Sequence, residues 1–197
     1  SNMSLNDTPS SERIHIAFFG CRNAGKSSVV NAVTGQELAV VSDVKGTTTD
    51  PVKKSMEILP LGPVVITDTP GFDDEGGLGE LRVKKTKQIL SKTDIAVLVV
   101  DATLGLNTYD RRLIDIFKEK QIPYIIVFNK SDLLPKIPQD EKNVLYVSAV
   151  SGYNIHELKE KIGGLAPKNN NRRIVGDMLK LGDSVILVCP IDESAPK

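Results

Sequence analysis

The chain has 197 residues, enough for one domain of ordinary size with a sizeable apolar core. Its 25 basic side chains balance its 25 acidic ones, so we do not expect nucleic acid among its partners. No apolar run reaches the roughly 18 residues of a membrane helix, which argues against a membrane protein. Cys21 and Cys189 allow at most one disulfide, and this sparse cysteine usage favours the reducing cytoplasm.

Short apolar runs alternate with longer amphipathic stretches along the chain. A polar tail over residues 1–12 is expected to be disordered, and Ser1-Asn2 before Met3 is interpreted as a cloning remnant. The turn residues Pro60–Pro63 predict a hairpin, and Gly163-Gly164 predicts the end of the last helix. In chain order the predicted elements are strand Arg13–Gly20, helix Lys26–Gly35, strands Val52–Leu59 and Val64–Asp68, helix Glu80–Lys92, strand Asp94–Asp101, helix Tyr109–Lys120, strands Pro123–Lys130 and Asn143–Ala149, and helix Asn154–Ile162.

This order of elements predicts an α/β fold. The sheet should be mostly parallel with one antiparallel edge strand, and helices should cover both faces. We expect one domain over residues 13–165 and a linker over residues 166–180. Residues 181–197 contain a new apolar run and are expected to begin a further domain; the alternative is a C-terminal helix and strand that dock on the same domain.

The first motif of functional interest is GCRNAGKS, residues Gly20–Ser27, which fits G-x-x-x-x-G-K-S/T between a predicted strand and a predicted helix. Its glycines let backbone N–H groups turn inward around an anion, and the helix N-terminus adds partial positive charge. Lys26 should reach the outer phosphates, and the Ser27 hydroxyl should ligate Mg²⁺. The alternative is a glycine-rich turn without ligand. The residues expected to bind phosphate are Asn23, Ala24, Gly25, Lys26, Ser27 and Ser28.

Three more motifs follow predicted strands. In DTPG, residues Asp68–Gly71, the aspartate should hold Mg²⁺ through water and the Gly71 N–H should sense the γ-phosphate. In NKSD, Asn129–Asp132, Asp132 can accept from both N–H groups on the guanine edge, and Lys130 should pack over the base. SAV, residues Ser148, Ala149 and Val150, ends the last predicted strand and would be a plain loop if it stood alone.

Together the four motifs resemble those of the translation-factor-related P-loop GTPases, over roughly residues 13–162. SAV resembles the last guanine-contact loop of these proteins, which implies that Ser148, Ala149 and Val150 bind the nucleotide. The resemblance implies a P-loop NTPase fold with GTP or GDP as ligand, Mg²⁺ as cofactor and slow GTP hydrolysis. Gly46–Asp50, GTTTD, resembles the first switch segment of the tRNA-modification and Era-like GTPases, which implies that Thr48 ligates Mg²⁺ when GTP is bound. The alternative is a threonine-rich surface loop. In those relatives an asparagine at the position of Asn23 helps to bind K⁺ beside the phosphates, so K⁺ is a second expected cofactor.

Several carboxylates after DTPG are candidates for the group that assists hydrolysis. Phe72 follows DTPG where Ras-like proteins carry a water-orienting glutamine, and phenylalanine cannot orient water. Counted from DTPG, Glu80 matches the position of a glutamate that assists GTP hydrolysis in the tRNA-modification relative. Asp73, Asp74 and Glu75 are alternatives. The residues assigned to hydrolysis are therefore Lys26, Thr48, Gly71 and Glu80.

Residues 40–86 and 181–197 also resemble the GTPase domain and the following dimerisation domain of the [FeFe]-hydrogenase maturation scaffold proteins, although Lys45 and Pro70 depart from that pattern. This resemblance implies a switch in hydrogenase cofactor maturation. The implied partners are a dimerisation domain, a cluster-binding domain, the maturation enzymes and the hydrogenase. No iron–sulfur cluster is expected within these residues, because two lone cysteines do not form a cluster site.

Two other functional classes remain open. One is an Era-like or tRNA-modification-type GTPase that acts with RNA or the ribosome. The other is a nucleotide-dependent interaction module with very slow turnover. The basic run Arg82–Lys87 is interpreted as a solvated helix face or, alternatively, as a partner contact that senses the nucleotide.

Overall fold

The computed structural model describes residues 9–36, 50–71 and 79–167. The chain divides after Ala166 into two compact units, and nearly all of the second unit lies outside the described residues. The predictions for Thr48, for Phe72 with its acidic neighbours, for Cys189 and for residues 181–197 also fall outside them. They stay predictions.

One six-stranded sheet organises the first unit. Its spatial order is β2-β3-β1-β4-β5-β6, and every neighbouring pair is parallel except β2 and β3. This topology confirms the predicted fold class. The strands are β1 Ile14–Gly20, β2 Val52–Ile58, β3 Gly62–Asp68, β4 Ile95–Asp101, β5 Tyr124–Asn129 and β6 Val144–Tyr146.

Helices cover both faces of this sheet and bury its apolar side chains. The α-helices of the described residues are α1 Lys26–Thr34, α2 Glu80–Leu90, α3 Thr108–Glu119 and α4 Ile155–Leu165. Helices α1 and α4 share one core cluster, whereas α2 and α3 share the other. None of these helices has the length and apolarity needed to cross a lipid bilayer.

The parallel strands end at a common edge of the sheet, and this edge carries the sequence motifs. β1 ends at Gly20, β3 at Asp68, β4 at Asp101 and β5 at Asn129. Ligands of open parallel sheets bind outside the carboxyl ends of the strands. The topology therefore brings segments from distant parts of the chain to one edge.

Two predicted boundaries differ from the structure by three residues, more than the other boundaries do. Helix α4 continues through Gly163 and Gly164 to Leu165, because the burial of Leu158 and Ile162 outweighs the low helix propensity of glycine. A Cβ atom on Gly163 would stand 3.2 Å from Leu61 Cδ2, so a glycine lies where the helix meets the hairpin. Strand β6 ends early, at Tyr146, since the Ser148 N–H donates to the carbonyl of Tyr153 instead of extending the ladder.

Replacement of two glycines by alanine should change the free energy of unfolding in opposite directions. Gly164 lies in α4 with open space around its Cα, so Gly164→Ala should raise the free energy of unfolding by about 0.5 kcal/mol through helix propensity. Gly35 also has open space, but its φ of +70° is strained for alanine, and Gly35→Ala should lower the free energy of unfolding by about 1 kcal/mol. Urea denaturation of both variants measures these changes. Equal signs would contradict the backbone argument.

Candidate nucleotide-binding site

The loop between β1 and α1 adopts a backbone that two glycines make possible. Gly25 has a φ of +79°, and a Cβ atom there would lie 2.3 Å from the Asn129 side-chain nitrogen. Gly20 has a φ of +155°, and its Cβ atom would lie 2.5 Å from the carbonyl oxygen of Val99. Both the conformation and the space thus require glycine at these two motif positions.

Helix α1 begins at this loop and offers an anion site. Its first intrahelical bond runs from the Val29 N–H to the Gly25 carbonyl, so the preceding N–H groups have no partner within the helix. Ser27 and Ser28 are exposed in this first turn. A helix N-terminus of this kind binds phosphate through backbone N–H groups and the helix dipole.

The phosphate end of the site contains a buried ion pair. The Lys26 ammonium contacts a carboxylate oxygen of Asp68 and donates to the carbonyl oxygen of Thr69. Lys26 and Asp68 are 4% and 1% exposed, so neither charge can be solvated well. A phosphate group at the helix N-terminus would compete with Asp68 for this ammonium.

The residues expected to hold cations have suitable donor groups. The Ser27 hydroxyl and the Asp68 carboxylate supply oxygen, the donor that Mg²⁺ prefers, so these side chains fit a magnesium site. The Asn23 side chain is exposed, whereas its backbone carbonyl accepts a hydrogen bond from Lys130. Elsewhere in the described parts of the chain, no group of three or more His, Cys, Asp or Glu side chains is arranged to hold a metal.

Gly71 brings the end of the DTPG motif against the phosphate loop. A Cβ atom on Gly71 would lie 3.0 Å from the Arg22 Cα atom and 3.2 Å from its nitrogen. Any larger residue would therefore push this segment away from the loop. Gly71, whose N–H is the predicted γ-phosphate sensor, therefore lies beside the phosphate loop.

The side chain of Asn129 joins three loops at the base end of the site. Its Nδ2 donates to the Ala24 carbonyl at 3.1 Å, and its Oδ1 accepts from the Ala149 N–H at 3.0 Å. Asn129 is 3% exposed, so both bonds form away from solvent. Ser148 is buried beside them, whereas the Val150 side chain is exposed. The NKSD motif thereby links the phosphate loop to the SAV loop.

Lys130 and Asp132 follow Asn129 with different exposures. Lys130 has a φ of +66°, and its ammonium donates to the Asn23 carbonyl at 2.6 Å. Its stem therefore crosses from the base end to the phosphate loop. Asp132 lies exposed on a short 3₁₀ turn, Ser131–Leu133, as a group that reads a base edge must.

Asp101 is a residue that the sequence motifs did not identify. Its carboxylate accepts from the Lys130 ammonium at 3.0 Å and from the Thr103 N–H at 2.8 Å. Burial alone would raise the pKa of Asp101, but hydrogen bonds from Thr103 and Lys130 and the Lys130 charge outweigh burial and hold it below its ordinary value. A sequence signal existed, because Asp101 ends a buried strand at the edge of the sheet that carries the motifs.

Glu80 occupies a position that has a structural explanation of its own. It is the first residue of α2, and it is exposed after the cap residue Gly79. A carboxylate there stabilises a helix through its dipole. Glu80 also lines a groove with Lys84 and Arg112. Its part in hydrolysis stays a prediction.

The sheet, the phosphate loop and the linked NKSD motif define a P-loop GTPase domain. The chain belongs to the family of 50S ribosome-binding GTPases, whose family model matches residues 15–130. It is a GTP-binding domain of that family, and the predicted class of protein is confirmed.

Several characterised proteins resemble it. The GTPase Der of Wolinella succinogenes is 36% identical over 191 residues, which are 89% of this chain and 40% of that protein. The tRNA modification GTPase MnmE of Endomicrobium trichonymphae is 34% identical over 170 residues, which are 80% of this chain and 37% of that protein. The chain thus spans about two fifths of the length of these relatives.

Solved structures show the same fold. Era in complex with MgGDPNP and nucleotides 1506-1542 of 16S ribosomal RNA superposes with a TM-score of 0.63 at 26% identity, covering 79% of this chain and 57% of that chain. A probable GTP-binding protein, engB, superposes with a TM-score of 0.58 at 26% identity, covering 77% of this chain and 97% of that chain.

Removal of the Asp68 charge should destabilise the nucleotide-free protein. Asp68→Asn leaves the buried Lys26 ammonium without its counter-charge, which should cost about 3 kcal/mol of unfolding free energy. GDP added in EDTA should reduce this loss, because its phosphates supply negative charge beside Lys26. Asp115→Asn on the exposed side of α3 is the control and should change little. Urea denaturation with and without GDP measures both effects, and an equal loss in the two conditions would contradict the competition.

Removal of the Asp101 carboxylate should speed nucleotide release. Asp101→Asn weakens the anchor of Lys130, and a loss of about 1 kcal/mol corresponds to roughly fivefold faster dissociation. Because the pKa of Asp101 is lowered, this contribution is complete at neutral pH and is lost only as pH falls through the lowered value. Stopped-flow release of a fluorescent GDP analogue measures the rate. An unchanged rate would exclude Asp101 as an anchor.

Proposed function

We propose that this domain is a Mg²⁺-dependent GTPase that acts as a nucleotide-controlled switch. The observation that carries the proposal is the bridging position of Asn129, whose amide holds the Ala24 carbonyl and the Ala149 N–H at once. Asn129 therefore links the loop proposed to bind phosphate to the loop proposed to contact the base. A nucleotide with a guanine at one end and a triphosphate at the other spans such a site.

Guanine selectivity is assigned to Asp132. Its exposed carboxylate can accept from N1–H and from the exocyclic amine of guanine. Adenine lacks this pair of donors, so the carboxylate would stay unpaired on an adenine nucleotide. Lys130 holds the neighbouring backbone to the phosphate loop through Asn23 and would cover the base with its stem.

Hydrolysis is assigned to groups at the phosphate end. The Lys26 ammonium would neutralise charge on the outer phosphates, and the Gly71 N–H would bond the γ-phosphate. Bound Mg²⁺ would supply further positive charge there, with Ser27, Asp68 and the predicted ligand Thr48 as the residues that hold it. K⁺ held with the help of Asn23 is the proposed source of additional charge, and Glu80 is the weaker candidate for assistance.

The switch would act through segments that meet at the γ-phosphate. Gly71 already lies against the phosphate loop at Arg22, so a γ-phosphate at this contact would change how the following segment is held. The exchange of Lys26 between Asp68 and phosphate supplies a second difference between the states. Partners that contact these segments would sense which nucleotide is bound.

For the biological process, the relatives favour the RNA or ribosome alternative. The matched family is described as 50S ribosome-binding, one relative modifies tRNA, and the Era structure contains 16S ribosomal RNA. We therefore place an RNA-associated or ribosome-associated role first, although the balanced charge favoured no nucleic acid. Hydrogenase maturation is the second candidate. It rests on the resemblance of residues 40–86, and none of the relatives named above carries such a function in its name.

Hydrolysis by the chain should depend on K⁺ through Asn23. GTP turnover with Mg²⁺ should be at least about tenfold faster in KCl than in NaCl of equal ionic strength, since K⁺ places charge where it develops in the transition state. Asn23→Ala should remove this activation and leave GTP binding in NaCl almost unchanged. Gln139→Ala removes an exposed amide away from the site and is the control. Equal rates in both salts would exclude the K⁺ role, and an absence of turnover with intact GTP binding would leave an interaction module.

The process is tested by association with ribosomal subunits. The chain should sediment with isolated 50S or 30S subunits in the presence of a non-hydrolysable GTP analogue and less well with GDP. Lys26→Ala, which should lose the nucleotide, is the control that separates nucleotide-dependent from general adsorption. The contrary result is that the chain associates with neither subunit in either nucleotide state and stimulates a reconstituted hydrogenase maturation reaction in a GTP-dependent way. That result would place hydrogenase maturation ahead of the RNA-associated or ribosome-associated role.

A further inference from the structure

A groove lies between α2 and α3. Of the residues assigned to nucleotide binding or hydrolysis, Glu80 is the one that lines it. Its volume is about 610 Å³. Four of its lining residues are basic and one is acidic, although the whole chain has equal numbers of both. The lining residues of this α2–α3 groove are Glu80, Val83, Lys84, Lys87, Gln88, Ser91, Arg112 and Lys120.

The positive charge of the groove is only partly neutralised by the chain itself. Among the salt bridges of the described residues, the one involving a groove cation joins Lys87 to Glu119 at 2.8 Å. Lys84, Arg112 and Lys120 are exposed. Clustered like charges repel one another, so this surface gains most from an added anionic partner.

Glu119 is a carboxylate of the chain that already pairs with one groove cation, Lys87. The hydrogen bond from Lys87 and the Lys87 charge hold the pKa of the Glu119 carboxyl below its ordinary value, and the charges of Arg112 and Lys120 add to the effect. The groove cations thus already stabilise one carboxylate of the chain. A carboxylate from elsewhere would meet the same field.

The lining favours an acidic polypeptide over single-stranded RNA. Aromatic platforms for stacked bases are a usual feature of sites for single-stranded RNA, and the described lining of this groove contains none. It instead offers the apolar Val83 among charged neighbours.

Both walls of the groove are connected to the nucleotide site. Helix α2 begins at Glu80, a short distance along the chain from Gly71, which lies against the phosphate loop. The cap residue of α3, Asn107, donates from its side chain to the Cys21 sulfur in that same loop at 3.2 Å. A nucleotide-dependent shift of either contact would move one wall of the groove.

We propose that the α2–α3 groove is the docking surface for an acidic segment of a partner protein, and that the bound nucleotide sets its affinity. The docking surface is independent of which biological process the domain serves. Its nucleotide dependence rests on the proposed switch function.

The test uses a fluorescein-labelled oligo-glutamate peptide and the full chain, loaded with GDP or with a non-hydrolysable GTP analogue. Fluorescence anisotropy should show different affinities in the two states. The double variant Lys84→Glu, Lys120→Glu should bind about tenfold more weakly, because two attractions become two repulsions on an exposed surface. Lys136→Glu with Lys142→Glu makes the same change of net charge on exposed residues outside the groove and should retain most of the binding.

Several outcomes would overturn the proposal. Equal weakening by both double variants would show general electrostatic attraction, and oligouridylate of equal charge that binds in place of the peptide would assign the groove to nucleic acid. Equal peptide affinity in both nucleotide states would remove the nucleotide dependence. GTP hydrolysis is measured on the same samples. A variant that loses peptide binding but hydrolyses GTP at an unchanged rate would separate this surface from the proposed GTPase function. Intact peptide binding without any GTP hydrolysis would refute the proposed GTPase function alone.

Discussion

The side-chain amide of Asn129 holds the nucleotide site together. It donates to the phosphate loop and accepts from the SAV loop, and both bonds are shielded from solvent. Gly25 must lack a side chain for this amide to approach so closely. A single buried group therefore sets the distance between the part of the site that would read a base and the part that would hold phosphates.

Much of this architecture was predictable from local sequence. Continuous apolar runs marked the buried parallel strands, and the glycine-rich loop stood where a strand passes into a helix, because these features depend on near neighbours in the chain. Strand β4, for example, is buried along its length until Asp101. The motifs could be placed together since parallel strands end at one edge.

Other features depended on contacts that no local pattern carries. The anchoring role of Asp101 requires Lys130, which comes from the neighbouring strand, and α4 passes through two glycines because its apolar face is buried against the core. The basic run Arg82–Lys87 indicated a positively charged surface on α2. The sequence did not indicate that Arg112 and Lys120 of α3 would form the second wall of the α2–α3 groove. Local sequence patterns carry still less information about the biological process. The similar proteins placed the RNA-associated or ribosome-associated role ahead of hydrogenase maturation.

The order of the strands also bears on how the domain can associate with copies of itself. A sheet edge with unpaired backbone groups can recruit another strand, and lysines or short length prevent this. One edge here is β2, whose exposed first half carries Lys53 and Lys54, and the other is β6, which has only three residues. Both edges are thus poor templates for strand addition. Among the described residues, the sheet edges are therefore disfavoured as sites where a second copy could extend the sheet.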